Sequence, residues 1–106
     1  MMPDRTFSIS TSISRNMETK LQNDTSVCYL CNKPMGKGDK HHIFNGAKRD
    51  RSEEDGMFVY VHRVCHTFIH NHPETARTLK MRGQRKWEEI YGDRDAFIKR
   101  YGKSYL

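Results

Sequence analysis

Cysteine, proline and tryptophan are scarce in this chain, at three, three and one among 106 residues. Three cysteines cannot all pair within one molecule, which argues against a disulfide framework and for a reduced compartment. No apolar run approaches the ~20 residues of a membrane-spanning helix. The first residues also lack the basic stretch and apolar segment of a secretory signal. A cytoplasmic protein with no membrane partner is therefore expected. Acidic residues are in deficit too, 13 Asp and Glu against 19 Lys and Arg, leaving a formal charge of +6. That balance favours an anionic partner, nucleic acid before membrane. With 35% hydrophobic and 30% charged residues, the chain supports one small domain with a thin core. Some staple beyond hydrophobic burial is expected.

Residues 1–26 are rich in Ser, Thr and Asn and poor in large apolar side chains, the composition of a flexible arm. Within it Phe7, Ile9, Thr11 and Ile13 alternate, a pattern that also suits an edge strand. From Cys28 to His72 cysteine, histidine and aromatic residues concentrate. The run "CYLC" spaces Cys28 and Cys31 so that one tight turn can aim both thiolates at a single ion, with Pro34, Gly36 and Gly38 suited to a knuckle loop behind them. Further on, "HRVC" repeats the two-residue gap with His62 and Cys65. Together they would complete a tetrahedral Cys3His site for structural zinc, whose binding would then contribute to folding. His66 is a second choice for the fourth ligand, because it abuts Cys65 and lacks the gap. The competing reading makes Cys65 a small buried apolar residue and His62 a surface one.

Between the two halves the pattern reads as a hairpin. "KHHIF" forms one strand and "MFVYV", residues 57–61, the other, joined by the long polar stretch "NGAKRDRSEEDG". After Cys65, "HTFIHNHP" puts Phe68 and Ile69 on one side of a short helix and His66 and His70 one turn apart, until Pro73 ends or interrupts it. The last third reads as two helices. Leu79, Trp87, Ile90 and Tyr91 make an apolar stripe on the first, with a stop at Gly92; Asp93 caps the second and Gly102 ends it. Trp87, Phe97 and Tyr101 are expected to pack onto the hairpin or the N-terminal arm. Nine Lys and Arg lie from residue 76 onward against four acidic residues. They could track a phosphate backbone or form a solvated helix face. Arg77, Arg82 and Arg85, with Lys48 and Arg49 in the hairpin connection, are the expected nucleic-acid contacts.

The order knuckle, histidine-bearing strand, hairpin return and histidine-bearing helix resembles the HNH, or His-Me finger, nucleases over about residues 27–72. The residues that carry the resemblance are Cys28, Cys31, His41, His42, His62, Cys65, His66 and His70. "HHIFNGAKR", "FVYVHRVCH" and the basic ending "FIKRYGKSYL" look like small HNH-like proteins of phages and prophages. In those relatives the third knuckle ligand is a cysteine and the fourth a histidine or cysteine, whereas His62 precedes Cys65 here. The resemblance implies an α+β fold: a zinc-stapled ββα module over 27–75, followed by a basic helical extension over 76–106. It makes His42 the general base, a task suited to an imidazole's near-neutral pKa. It places a second divalent ion, magnesium, manganese, nickel or zinc, on His66 and His70 with Asp39 or His41. Asp39 offers the hard oxygen that magnesium prefers, and the imidazoles favour the softer metals. His41 points away from His42 if the strand is regular, and ligates only if the strand twists or bulges. The central asparagine that orients the base in the family is missing: none lies between Asn45 and Asn71. Asp55 or a backbone carbonyl could replace it.

Two functions follow. The first is a metal-dependent endonuclease that hydrolyses phosphodiester bonds in DNA, in phage or prophage processing or recombination. The second is a zinc-stapled module that binds nucleic acid or protein and has lost the chemistry. A dimer would allow both strands to be cut, but nothing in the sequence demands one. Inhibition of a host nuclease would leave no legible trace.

Overall fold

The two β-prone runs on either side of the polar connection resolve into two short strands. β1 (Asp39–His42) and β2 (Phe58–Val61) pair antiparallel, with Asp39 opposite Val61 and His42 opposite Phe58. They belong to a computed structural model that describes residues 18–106. The alternating stretch at 7–13 lies outside the described residues. Helices α1 (Arg49–Glu54), α2 (Arg63–Asn71), α3 (Pro73–Ile90) and α4 (Arg94–Tyr101) complete a small α+β fold. Period two divides the sheet into two faces. Lys40 and His42 stand with Phe58 and Tyr60; Asp39 and His41 stand with Val59 and Val61 toward α2.

The polar connection between the strands is more ordered than its composition suggests. It forms a 3-10 turn (Gly46–Lys48) and then α1, in which only Ser52 is buried. Phe44 N–H donates to Ser52 Oγ at 3.2 Å, and that hydroxyl donates to the Met57 carbonyl, so one side chain ties the two hairpin arms together. Gly46 at φ 64° and Gly56 at φ 74° take the left-handed turns on either side. A six-residue helix with a single buried position carries no apolar stripe, which is why its sequence reads as loop.

Of the segment expected as an arm, residues 19–22 lie along the outer edge of β2. Lys20 N–H donates to the Gly56 carbonyl at 2.8 Å. The Gln22 side chain accepts from Tyr60 N–H at 2.6 Å and donates to the Tyr60 carbonyl at 3.1 Å and the Val27 carbonyl at 2.8 Å. An amide thus stands in for a third strand at an edge that would otherwise expose unpaired backbone.

The C-terminal helices finish the hairpin's core. Ile43, Phe44, Met57, Val59 and Val61 cluster with Ile69, Leu79, Trp87, Phe97 and Tyr101, and the Phe44 and Tyr101 rings lie 4.4 Å apart. Gly83 lets α3 press onto the chain leaving β1, since a Cβ there would meet Ile43 Cγ2 at 2.9 Å. Pro73 opens α3 directly after α2, where its missing N–H costs nothing. Asp93 accepts from Ala96 N–H at 2.9 Å and Gly102 closes α4 at φ 94°, as their positions predict. Three apolar expectations fail: Phe68, Ile90 and Tyr91 are 43%, 44% and 42% exposed. Phe68 stacks instead on His72 at 3.7 Å, and Tyr91 reaches back to donate to the Asp55 carbonyl at 2.8 Å.

Asp55 ties the hairpin connection to the last two helices. Its carboxylate accepts from Arg100 Nε at 2.6 Å, Trp87 Nε1 at 2.8 Å and Tyr101 OH at 2.7 Å on one oxygen, and from Arg100 NH2 at 2.9 Å on the other. Burial and the adjacent carboxylate raise the Tyr101 phenol above its ordinary value, so it remains a donor. Asp55→Ala would leave the buried Trp87 Nε1–H without its acceptor and break the Arg100 pair, while Tyr101 keeps the Arg51 carbonyl at 3.0 Å and Arg100 keeps Glu54 at 2.8 Å. Because Arg100 keeps a third of its side chain exposed, the expected loss is at the lower end for a broken buried pair, about 3 kcal/mol. Urea denaturation of wild type and variant measures it, and a loss under half a kilocalorie would refute the assignment.

Candidate metal centres

The knuckle turn is shaped by its backbone. Cys28 N–H donates to the Lys33 carbonyl and Asn32 N–H to the Cys28 carbonyl, both at 2.9 Å, while Asn32 takes a left-handed φ of 63° that asparagine tolerates. The turn brings Cys28 and Cys31 beside His62, which precedes α2, and Cys65 in its first turn. One ligand atom from each lies within 4.8 Å of the others. Tetrahedral zinc, with bonds of about 2.1–2.3 Å, requires separations of about 3.3–3.8 Å, so a small contraction suffices. His62 is oriented for this. Its Nε2–H donates to the Pro34 carbonyl at 3.1 Å, leaving the Nδ1 lone pair facing Cys31 Sγ at 3.3 Å. Burial opposes ionisation of the Cys28 thiol, but N–H groups of Cys31, His62 and Leu30 outweigh it and bring it down to about 6. Burial and the two neighbouring sulfurs push Cys65 up to about 12. A thiolate already favoured beside a crowded thiol is a donor set suited to a cation. The four residues therefore form a cluster able to hold a metal ion, with a composition consistent with zinc. His66 is not part of it.

His66 belongs to a second cluster, with His41 and His70, whose nitrogens also lie within 4.8 Å of one another. His66 and His70 sit one turn apart on α2, and His41 meets them from β1 with ring centroids 5.2 and 5.6 Å away. No bulge is needed, because the inward face of β1 is the one that α2 covers. Asp39 shares that face as expected, but its Oδ2 accepts from His66 Nδ1–H at 3.3 Å. It lies outside the three-nitrogen cluster and fixes the His66 ring through that bond. Three imidazoles leave coordination positions open, the arrangement of a site that admits water or substrate. His41 is 3% exposed. Burial, followed by the nearby His66, His70 and His42, depresses it to about 4. Protons then bind the unfolded chain, where imidazole titrates near 6.5, more tightly than the folded one. This contribution is complete above that value and is lost as pH falls through 6.5 toward 4. With zinc limited to one equivalent, wild type should lose about 2 kcal/mol more than His41→Gln between pH 7 and pH 5. Equal losses in urea titrations at the two pH values would contradict this.

His42 lies on the other face of β1, yet it reaches the same space. β1 has one edge unpaired among the described residues, and a cavity of about 210 Å³ wraps it, lined by Lys40, Arg49, His41, His42, His66 and His70 among others. His42 Nε2 lies 2.6 Å from Glu53 Oε1, and Lys40 Nζ holds the same carboxylate at 3.1 Å. Burial works against the Glu53 charge, but these two partners hold the carboxyl below its usual range. Glu53 is thus the group that orients His42. Asp55, offered for that task by the sequence, is committed to Arg100, Trp87 and Tyr101. The sequence signal for Glu53 was weak, since it is one of three acidic residues in the run "RSEED".

The expected nucleic-acid contacts divide. Arg49 lines this cavity and Arg77 the one beside it. Arg82 and Arg85 are exposed on α3 and line neither, and Lys48 lies against Gly102. No helix among the described residues is long and apolar enough to cross a membrane. No family model matches the chain, and no curated protein or solved structure is significantly similar to it.

Proposed function

We propose that the protein is a metal-dependent endonuclease of the HNH type, acting on phosphodiester bonds in DNA. The observation that carries this reading is that His42 and the three-histidine cluster border one basic cavity at the free edge of β1. The order β1, β2, α2 supports a ββα module, and the Cys28, Cys31, His62 and Cys65 cluster supports structural zinc as its staple. His41, His66 and His70 would hold the second divalent ion. That ion would draw off negative charge building on the phosphate and the leaving oxygen. His42 has Nε2 engaged by Glu53, so its Nδ1 is the atom that accepts the proton of the attacking water. Glu53 holds the ring in one tautomer and favours the imidazolium that results, the part that the missing asparagine would share. Arg49 and Lys40 supply positive charge along the cavity wall.

The test is nicking of supercoiled plasmid with magnesium, manganese or nickel by wild type and His42→Ala, with bound zinc quantified. Cleavage that needs added metal and disappears in the variant supports the reading. DNA binding with no cleavage under any metal returns the chain to the second function, a zinc-stapled binding module.

A further inference from the structure

A second cavity, of about 360 Å³, adjoins the three-histidine site and shares His41, Asn45 and His70 with the first. Its lining includes Arg77 and Lys80 from α3 and Lys103 from the tail after α4. None of the three has a carboxylate within ion-pair distance among the described residues. The lysines are nevertheless held in place. Lys80 and Lys103 Nζ lie 5.4 and 5.2 Å from the centre of the Tyr105 ring.

Tyr105 is anchored in turn. Its ring stacks on Phe44 at 5.7 Å, and its N–H donates to Gln84 Oε1 at 2.6 Å. Gln84 is 0% exposed, and its amide nitrogen also donates to Ser104 Oγ at 3.0 Å. A buried amide left without these partners would be costly, so the tail is built into the wall of the cavity. Three cations converging beside a cluster that would itself carry a divalent ion repel one another unless an anion lies between them. The two lysines are positioned against the Tyr105 ring, with no carboxylate beside them to offset their charge.

We propose that this cavity seats the phosphate next to the scissile one in a nucleic-acid strand, with Lys80 and Lys103 as its ion-pairing groups. The inference rests on the nuclease reading and deepens it. Its volume of about 360 Å³ suits one phosphate with its sugar. A bond flanked by a second internal phosphate is then the preferred substrate, over a diester with only one.

Binding of a fluorescent single-stranded oligonucleotide, followed by anisotropy with the zinc-loaded chain and no other divalent ion, reads the seat without requiring turnover. The Lys80→Gln/Lys103→Gln pair should weaken binding about tenfold and lower the salt slope by about 1, while the exposed pair Lys37→Gln/Lys99→Gln weakens it less than about threefold. Equal losses in both pairs, or none in the first, overturn the seat. A terminally phosphorylated dinucleoside that competes as well as the oligonucleotide overturns the internal-phosphate assignment. Cleavage separates this inference from the reading beneath it. If an oligonucleotide and bis(p-nitrophenyl) phosphate are both cut, and neither rate depends on Lys80 and Lys103, the seat fails and the nuclease stands. If binding depends on the two lysines but nothing is ever cut, a phosphate-binding site stands without a scissile neighbour, and the nuclease fails.

Discussion

Cys31→Ser is expected to unfold the domain, although Cys31 is exposed and its side chain contributes little to packing. Structural zinc contributes about 10–16 kcal/mol in small zinc-dependent folds, whereas a whole domain is stable by about 5–15 kcal/mol. The cluster joins the knuckle turn to the first turn of α2, so its loss removes the tie between them and weakens the hold of both on β2. Circular dichroism of wild type with a strong chelator should show the same collapse, reversed by added zinc. His70→Ala supplies the contrast, since it removes an exposed member of the other cluster and should leave the melting curve in place. A Cys31→Ser protein that melts like wild type would show that the Cys3His cluster is not a structural staple.

His42→Ala should reduce metal-dependent nicking by about a hundredfold to ten-thousandfold, the usual range for a lost general base. Glu53→Gln keeps the shape and removes the charge, so its cost should be smaller, about tenfold to a hundredfold. Neither residue belongs to the three-histidine cluster, so manganese affinity measured by calorimetry should be unchanged in both. This distinguishes a proton acceptor and its positioning partner from metal ligands. Undiminished nicking by His42→Ala would remove His42 from the mechanism, and loss of manganese binding in either variant would reassign it to the metal.

Much of the local structure was legible because it depends on near neighbours. The knuckle follows from a two-residue gap, the hairpin from two β-prone runs flanking a polar stretch, and the helix ends from Asp93 and Gly102, whose effects act within one turn. His66 and His70 could be paired from their spacing on α2 for the same reason. The strand faces of Asp39, His41 and His42 also followed from period two. Which of those faces met the helix did not.

The sequence by itself determined the ligand types and their spacing, the strand alternation, the caps and the excess of positive charge. Tertiary structure alone decided that Glu53 turns to His42, that Asp39 supports His66 rather than joining its cluster, that Asp55 is bound to Arg100, and that Lys103 and Tyr105 wall a cavity beside His70. Each of those pairings joins residues far apart in the chain or on different elements. Local propensity says nothing about such contacts, because they form only when burial of a shared core brings the elements together and buried or crowded polar groups must find partners.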